Sequence, residues 1–199
     1  GNSTTGHTDF FRRYFKNDSI TMTFSGEDCL IILITDHIPL WKVPKHITEE
    51  LIHNKIQIVL QEWEKYFYPV EKVFFSGINP HAGESGLLGK EDIVITNAIK
   101  KLKKNYSLDF SGPFSADSLF LKKNANSMMV YMYHDQALSW FKERYGFLGL
   151  NITLGLPFLR FSMDHGTAFD LYGNNQAYYL GCFYLLKETL RVQREINGN

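Results

Sequence analysis

Short apolar runs alternate with longer amphipathic stretches along this chain. The runs are Cys29–Thr35 (CLIILIT), Lys72–Ser76 (KVFFS) and Ser127–Tyr133 (SMMVYMY), with a less hydrophobic fourth at Gly149–Leu154 (GLNITL). Each is short and rich in Ile, Val, Phe or Met, as a buried strand is. Between them, Thr48–Phe67 sets Leu51, Ile52, Ile56, Ile58, Val59, Trp63 and Phe67 mostly at three- and four-residue steps, which predicts a helix with one apolar stripe. A second helix is expected over Glu91–Lys103. A third is expected over Gln176–Ile196, apolar early (Tyr178, Leu180, Phe183, Leu185) and charged late. The alternation predicts an α/β architecture. Phe110–Asn126, with Pro113 and the Lys122–Lys123 pair, reads as the one linker. The first dozen residues show neither a strand nor a capped helix, as if the chain began inside something longer.

The 199 residues suffice for one large domain or two small ones with a real core. Twenty-one Lys and Arg balance 21 Asp and Glu, so a general nucleic-acid binder, which needs a basic excess or stripe, is not expected. The 2 cysteines, Cys29 and Cys182, are too few for a disulfide framework or a thiolate zinc site and point to a reducing, cytoplasmic setting. No apolar run is long enough to span a bilayer, so no membrane partner is expected. Gly1–His7 is polar, with neither a charged lead nor an apolar segment, so no secretory signal is expected.

Three of the 7 histidines share one topological address. His37 and His134 directly follow predicted strands, and His81 lies a few residues past a third, in GINPHAGES. Ligands of open α/β sheets bind outside the carboxyl ends of the strands, so these imidazoles can meet around one divalent metal with a position left open for substrate. Zinc, cobalt, manganese and magnesium all remain open, although three imidazoles favour zinc or cobalt over magnesium. His46 and His53 read as surface residues. Asp36 and Asp135 are either partners that orient a ring or helix N-caps, the cap being favoured for Asp135.

A basic set follows His134. Lys142, Asn151 and Arg160 together offer what an anionic phosphate or carboxylate needs, and Arg160 between Leu159 and Phe161 calls for an anionic partner. In Asp164-His165-Gly166-Thr167-Ala168, the small residues would let backbone amides approach a flat or phosphorylated ligand. Neither G-x-G-x-x-G nor G-x-x-x-x-G-K-[ST] occurs.

GHTDFF (6–11), ITDHIPL (34–40), GINPHAGESGLLGKED (77–92), MYHDQAL (132–138) and LNITLGLPFLRFSMDHGTAFDL (150–171) resemble, in order, the motifs of the NAD-dependent 4-hydroxythreonine-4-phosphate dehydrogenases of pyridoxal phosphate (vitamin B6) biosynthesis. The resemblance spans nearly the whole chain. It implies the two-domain α/β/α fold of the isocitrate and isopropylmalate dehydrogenases, with the N-terminal part lying before Gly1. Residues 1–143 would be the central metal-binding, substrate-binding and dimerisation region, and 144–199 the C-terminal part of the cofactor-side domain. It further implies metal ligands at His37, His81 and His134, with the ion shared across a homodimer interface. Substrate would be held by His7, Thr8, Lys142, Asn151 and Arg160, and NAD (or NADP) would lie near His165, Gly166, Thr167 and Ala168. Asp9, Ala137, Leu87-Leu88 and Tyr172 depart from the family pattern without removing a ligand; Tyr172 bears on the adenine side of the cofactor.

On this resemblance the substrate is 4-phosphooxy-L-threonine. It is oxidised at its 3-hydroxyl to a β-keto acid, which decarboxylates to 3-amino-2-oxopropyl phosphate. Asp135 and Asp164 are the candidate bases by position. Three other readings compete: a sibling dehydrogenase acting on a phosphorylated sugar acid such as 4-phospho-threonate, an inactive metal-binding fragment, and a three-histidine hydrolase that needs no NAD.

Overall fold

The computed structural model describes residues 6–124, 126–163, 169–176 and 179–198. Helix α1 (His7–Phe15) leads into a hairpin of β1 (Thr21–Gly26) and β2 (Cys29–Leu33). Next come short α2 (Val43–His46), α3 (Glu49–Trp63), β3 (Lys72–Ser76), α4 (Glu91–Asn105), β4 (Asp109–Phe114) and one-turn α5 (Ala116–Leu119). The chain continues through β5 (Ser127–Tyr131), α6 (His134–Tyr145), β6 (Leu150–Leu154), β7 (Arg160–Met163) and α7 (Leu180–Asn197).

The strands form one seven-stranded sheet in the order β4-β3-β5-β2-β1-β6-β7. The β4-β3-β5-β2 half is parallel. The β1, β6 and β7 half is antiparallel, joined through the β1–β2 hairpin. Strands on both sides of residue 143 thus belong to the same sheet. Every residue of β2 and β5 is buried, because these central strands are covered on both faces, and this is why they read as unbroken apolar runs. On one face, α3 and α4 pack Ile52, Ile56, Trp63, Ile95 and Leu102 against Val73, Phe75 and Val130. On the other, Ala137, Leu138 and Phe141 of α6 and Leu119 of α5 cover Phe24, Ile31, Leu33 and Met129. The result is a three-layer α/β/α stack.

The predicted α/β class holds, and β3 matches its predicted span at both ends. Strands β2 and β5 each stop two residues early, although the Ile34 and Thr35 N–H groups still donate to the Tyr131 and Met132 carbonyls beyond the strand ends. Helix α3 starts as predicted, because the Thr48 hydroxyl accepts the Leu51 N–H (3.1 Å) and two glutamates fill its first turn. It ends at Trp63 rather than Phe67, and α7 begins at Leu180 rather than Gln176.

Four elements were not expected from the pattern. Helix α1 starts without any side-chain cap, at Gly6, so it carries no sequence signature. Strand β1 hides behind its threonines: Thr21 and Thr23 are fully buried, and the Thr23 hydroxyl donates to the Ile152 carbonyl (2.7 Å). Strand β7 is a short edge. The stretch taken as a linker is instead β4, α5 and a further turn; Pro113 is tolerated there because β4 is an edge strand.

Phe75 is fully buried against Phe110 and the α4 face. Phe75→Ala is expected to cost about 3–5 kcal/mol, read as a lowered urea midpoint at unchanged m-value.

Candidate active site

The carboxyl ends of β2, β5 and β3 lie side by side, since these strands are parallel neighbours. His37 follows β2 and His134 opens α6 directly after β5. Their rings face one another with centroids 5.5 Å apart and planes at 39°. Nδ1 of His134 lies 2.8 Å from an Asp135 carboxylate oxygen, so Asp135 orients that ring. Contrary to the cap role that the sequence favours, Asp135 is not the N-cap of α6: that position is Tyr133, with no side-chain cap. Asp36 accepts the backbone N–H of His37 (2.7 Å) and caps no helix.

His81 stands apart. Among the described residues no three His, Cys, Asp or Glu side chains are grouped to hold a metal, so within one chain two of the expected three imidazoles converge. His81 begins a left-handed turn in which five successive residues have positive φ: 50° at His81, then 53°, 76°, 44° and 59° through Ser85. For residues other than glycine such a turn costs roughly 1–2 kcal/mol each. The turn brings Glu84 back onto His81, Oε1 to Nδ1 at 2.7 Å, and this hydrogen bond, with the carboxylate's charge, raises the imidazole's pKa. The loop is anchored by buried Asp92, which accepts the N–H of Ile78 (2.8 Å) and the Asn79 amide (2.9 Å). Gly77 admits no side chain, because a Cβ would come within 2.6 Å of the Ala82 backbone. A cleft of about 290 Å³ opens beside the loop, lined by Asn79, His81, Asp117, Tyr133 and Gln136 among others.

The candidate anion-binding residues fall on the antiparallel half. Register sets Phe24 beside Asn151 beside Ser162, and Met22 beside Thr153 beside Arg160. Directly opposed residues share a face, so Asn151, Thr153 and Arg160 lie on the face that α6 covers. The half-buried Arg160 donates to the Thr153 hydroxyl (2.8 Å) and lies 5.8 Å from the Phe11 ring centroid. Among the described residues it has no ion-pair partner; burial pushes its pKa down, yet a guanidinium stays charged near neutrality. Asn151 is buried, and its Oδ1 has no hydrogen-bond partner among the described residues. Thr8 is buried and His7 exposed in the first turn of α1, and Lys142 is exposed in the last turn of α6. Asp164, His165, Gly166, Thr167 and Ala168 lie outside the described residues. His46 hydrogen-bonds locally to the Lys42 carbonyl, and His53 to the Asn105 side chain of α4, both in exposed hydrogen bonds as expected of surface residues.

One charged group was not foreseen. Arg12 of α1 grips Asp36 with both terminal nitrogens (Nη1 to Oδ1 2.8 Å) and donates to the Ile20 carbonyl. Beneath them Lys55, 2% exposed, donates to the Leu33 carbonyl at 3.2 Å. A lysine at the centre of the stripe Ile52, Ile56, Val59 was the available signal. Burial alone would raise the Asp36 carboxyl, but the Arg12 hydrogen bond, the charges of Lys55 and Arg12 and the His37 N–H hold it well below the usual carboxylate range. Burial pushes Lys55 down to about 7 against the pull of Asp36.

Asp36→Asn breaks a buried pair and is expected to cost about 3–5 kcal/mol. The contribution of Asp36 is present in full above its unfolded value near ~3.9 and lost as pH falls below it. Lys55 works in the other direction. Its cost is complete below about 7 and is relieved as pH rises from there towards its unfolded value near ~10.4, because the folded state then binds fewer protons. Chemical denaturation of the wild type from pH 6 to 9 therefore gives rising stability from this group, and Lys55→Met flattens the slope.

A family model described as "Pyridoxal phosphate biosynthetic protein PdxA" matches residues 1–181. The 4-hydroxythreonine-4-phosphate dehydrogenase of Vibrio cholerae is 40% identical over 176 residues, 86% of this chain and 53% of that protein. A crystal structure of 4-hydroxythreonine-4-phosphate dehydrogenase from Klebsiella pneumoniae superposes with a TM-score of 0.80 at 29% identity, covering 96% of this chain and 59% of that one. A terephthalate 1,2-cis-dihydrodiol dehydrogenase from Burkholderia xenovorans superposes at 0.67 with 26% identity, covering 83% of this chain and 53% of that one. The chain spans about half the length of the curated relatives it matches.

Proposed function

The chain belongs to the PdxA family, and from that premise we propose that the full protein is an NAD-dependent dehydrogenase of 4-phosphooxy-L-threonine in vitamin B6 biosynthesis. The proposed reaction oxidises the 3-hydroxyl, with NAD or NADP as hydride acceptor; the β-keto acid then loses carbon dioxide to give 3-amino-2-oxopropyl phosphate. The observation that carries this reading is the facing pair His37 and His134 at the sheet end. Two converging imidazoles suit a divalent ion such as zinc or cobalt, less well magnesium or manganese. His37 and His134 would hold it, with His81 completing the set from a second copy of the chain in a homodimer. When bound, the ion supplies Lewis-acid polarisation of the substrate hydroxyl.

The chain's own groups do the rest. Arg160, lacking a carboxylate partner among the described residues, and Asn151, with its unpartnered Oδ1, are suited to the substrate's charged and polar ends. Lys142, His7 and Thr8 would complete that grip. Fixing those ends orients the reacting carbinol, and positioning of this kind supplies much of the rate. Asp135 is occupied in orienting the His134 ring, which leaves Asp164 as the group to take the hydroxyl proton. His165 to Ala168 are the residues assigned to the NAD side.

The Burkholderia xenovorans structure, a cis-dihydrodiol dehydrogenase on a similar scaffold, favours a second reading in which the substrate is itself a diol, a phosphorylated sugar acid such as 4-phospho-threonate. NADH formation by the full-length protein, assayed on both phosphorylated substrates with and without added metal, separates the two. Metal-dependent turnover is expected on 4-phosphooxy-L-threonine. His81→Ala and His134→Ala are each expected to abolish it at an unchanged Tm of the metal-free protein; full activity in either variant overturns the ligand assignment.

A further inference from the structure

The β3–β5 ladder stops at Phe75 opposite Val130. Past that rung the two chains diverge, one through Ser76 and Gly77 towards His81, the other through Met132 towards His134. Parallel strands that part in this way leave backbone groups unpaired between them, and such groups need partners when removed from water. Here one side chain supplies them. Oε1 of Gln136 accepts the Met132 N–H (2.8 Å) and the Ser76 hydroxyl (3.0 Å), while Nε2 donates to the Gly77 carbonyl (2.7 Å). Gly77 is tied on its other side as well, its N–H donating to the Phe114 carbonyl of β4 (2.7 Å).

A primary amide carries the same donor and acceptor as a peptide group, so it extends the ladder by one rung where the backbone no longer can. Glutamate has the same shape but, when ionised, no donor, and would set a carboxylate against the Gly77 carbonyl. An apolar side chain would leave all three groups unanswered.

We propose that Gln136 is a positioning residue that fixes the distance between the His134 turn and the His81 loop, and with it the two sets of metal ligands that a chain presents. The proposal rests on the reading above that these histidines bind metal.

The test uses the full-length, metal-free protein titrated with Zn²⁺ alone in a calorimeter, together with hydrogen exchange at the Met132 amide. Gln136→Glu is expected to weaken Zn²⁺ binding about 10- to 100-fold, the usual loss when a group orienting a ligand is removed. Met132 exchange should quicken while the Tm of the metal-free protein stays close to wild type. Wild-type affinity in Gln136→Glu overturns the assignment. Should that variant not fold, Ser76→Ala, which removes one of the three bonds, carries the test: a smaller loss of Zn²⁺ affinity is expected, and none overturns the proposal. A wild-type protein that binds no Zn²⁺ overturns the metal reading itself, whereas wild-type binding with unaltered variants overturns only the role of Gln136.

Discussion

A carboxylate withdrawn from water at the end of an interior strand needs partners, and much of the candidate site depends on how Asp36 finds them. It sits where β2 gives out, buried beside His37, and it is answered by Arg12 from a helix that has no side-chain cap of its own. Burying an ion pair gains little stability compared with apolar packing, yet removing one partner leaves an expensive lone charge. The pair therefore acts as a latch more than as a source of stability. It ties α1, and with it His7 and Thr8, to the turn that carries His37. The same carboxylate accepts the His37 N–H, so the latch and the turn that carries His37 share one acceptor. Lys55 adds a third charge from the opposite face of the sheet, anchored on the Leu33 carbonyl rather than on Asp36 itself.

The latch lies where the sheet changes character. Strand β2 is parallel to β5 on one side and antiparallel to β1 on the other. The parallel half delivers strand ends that all open in one direction, and this is how histidines far apart in sequence reach one edge. The antiparallel half delivers residues in register across a face, and this is how Asn151, Thr153 and Arg160 come to one patch. The candidate histidines and the candidate anion-binding residues are thus placed by two different geometries joined at one hairpin.

What the sequence revealed follows from the same division. Strands β2, β3 and β5 were legible because central parallel strands are apolar on both faces, and α3 because its cap and stripe agree. Strand β1 was not, since its alternate positions are buried threonines, Thr23 satisfied across the sheet by the Ile152 carbonyl and Thr21 locally by the Ser19 carbonyl. Strand β4 was hidden by Pro113 at an edge where no ladder donor is missed. The addresses of His37 and His134 were readable from strand ends alone, whereas the convergence expected of His81 was not found within one chain; Arg160 was picked out by its apolar neighbours, although the anionic partner expected for it is absent among the described residues. The Arg12–Asp36–Lys55 group was not, because no local spacing links a helix, a strand end and a second helix. The role of Asp135 was misread for a related reason: an acidic residue at the head of a helix fits a cap and a ring partner equally well in sequence, and only the geometry separates them.

The left-handed turn at residues 81–85 explains why His81 differs from the other two histidines. His37 and His134 leave their strands within a few residues and inherit the sheet's geometry. His81 is carried away by a loop that reverses hand through Ala82, Glu84 and Ser85, and that reversal is held by the hydrogen bonds of Asp92 and by the close backbone approach at Gly77. Strain of this kind has a structural consequence. It turns the His81–Glu84 pair outward, with the imidazole 69% exposed, while the other two rings face one another. The proposed site, whose third imidazole comes from a second copy of the chain, calls for a His81 held outward in this way, whereas a site closed within one chain would call for all three rings to converge.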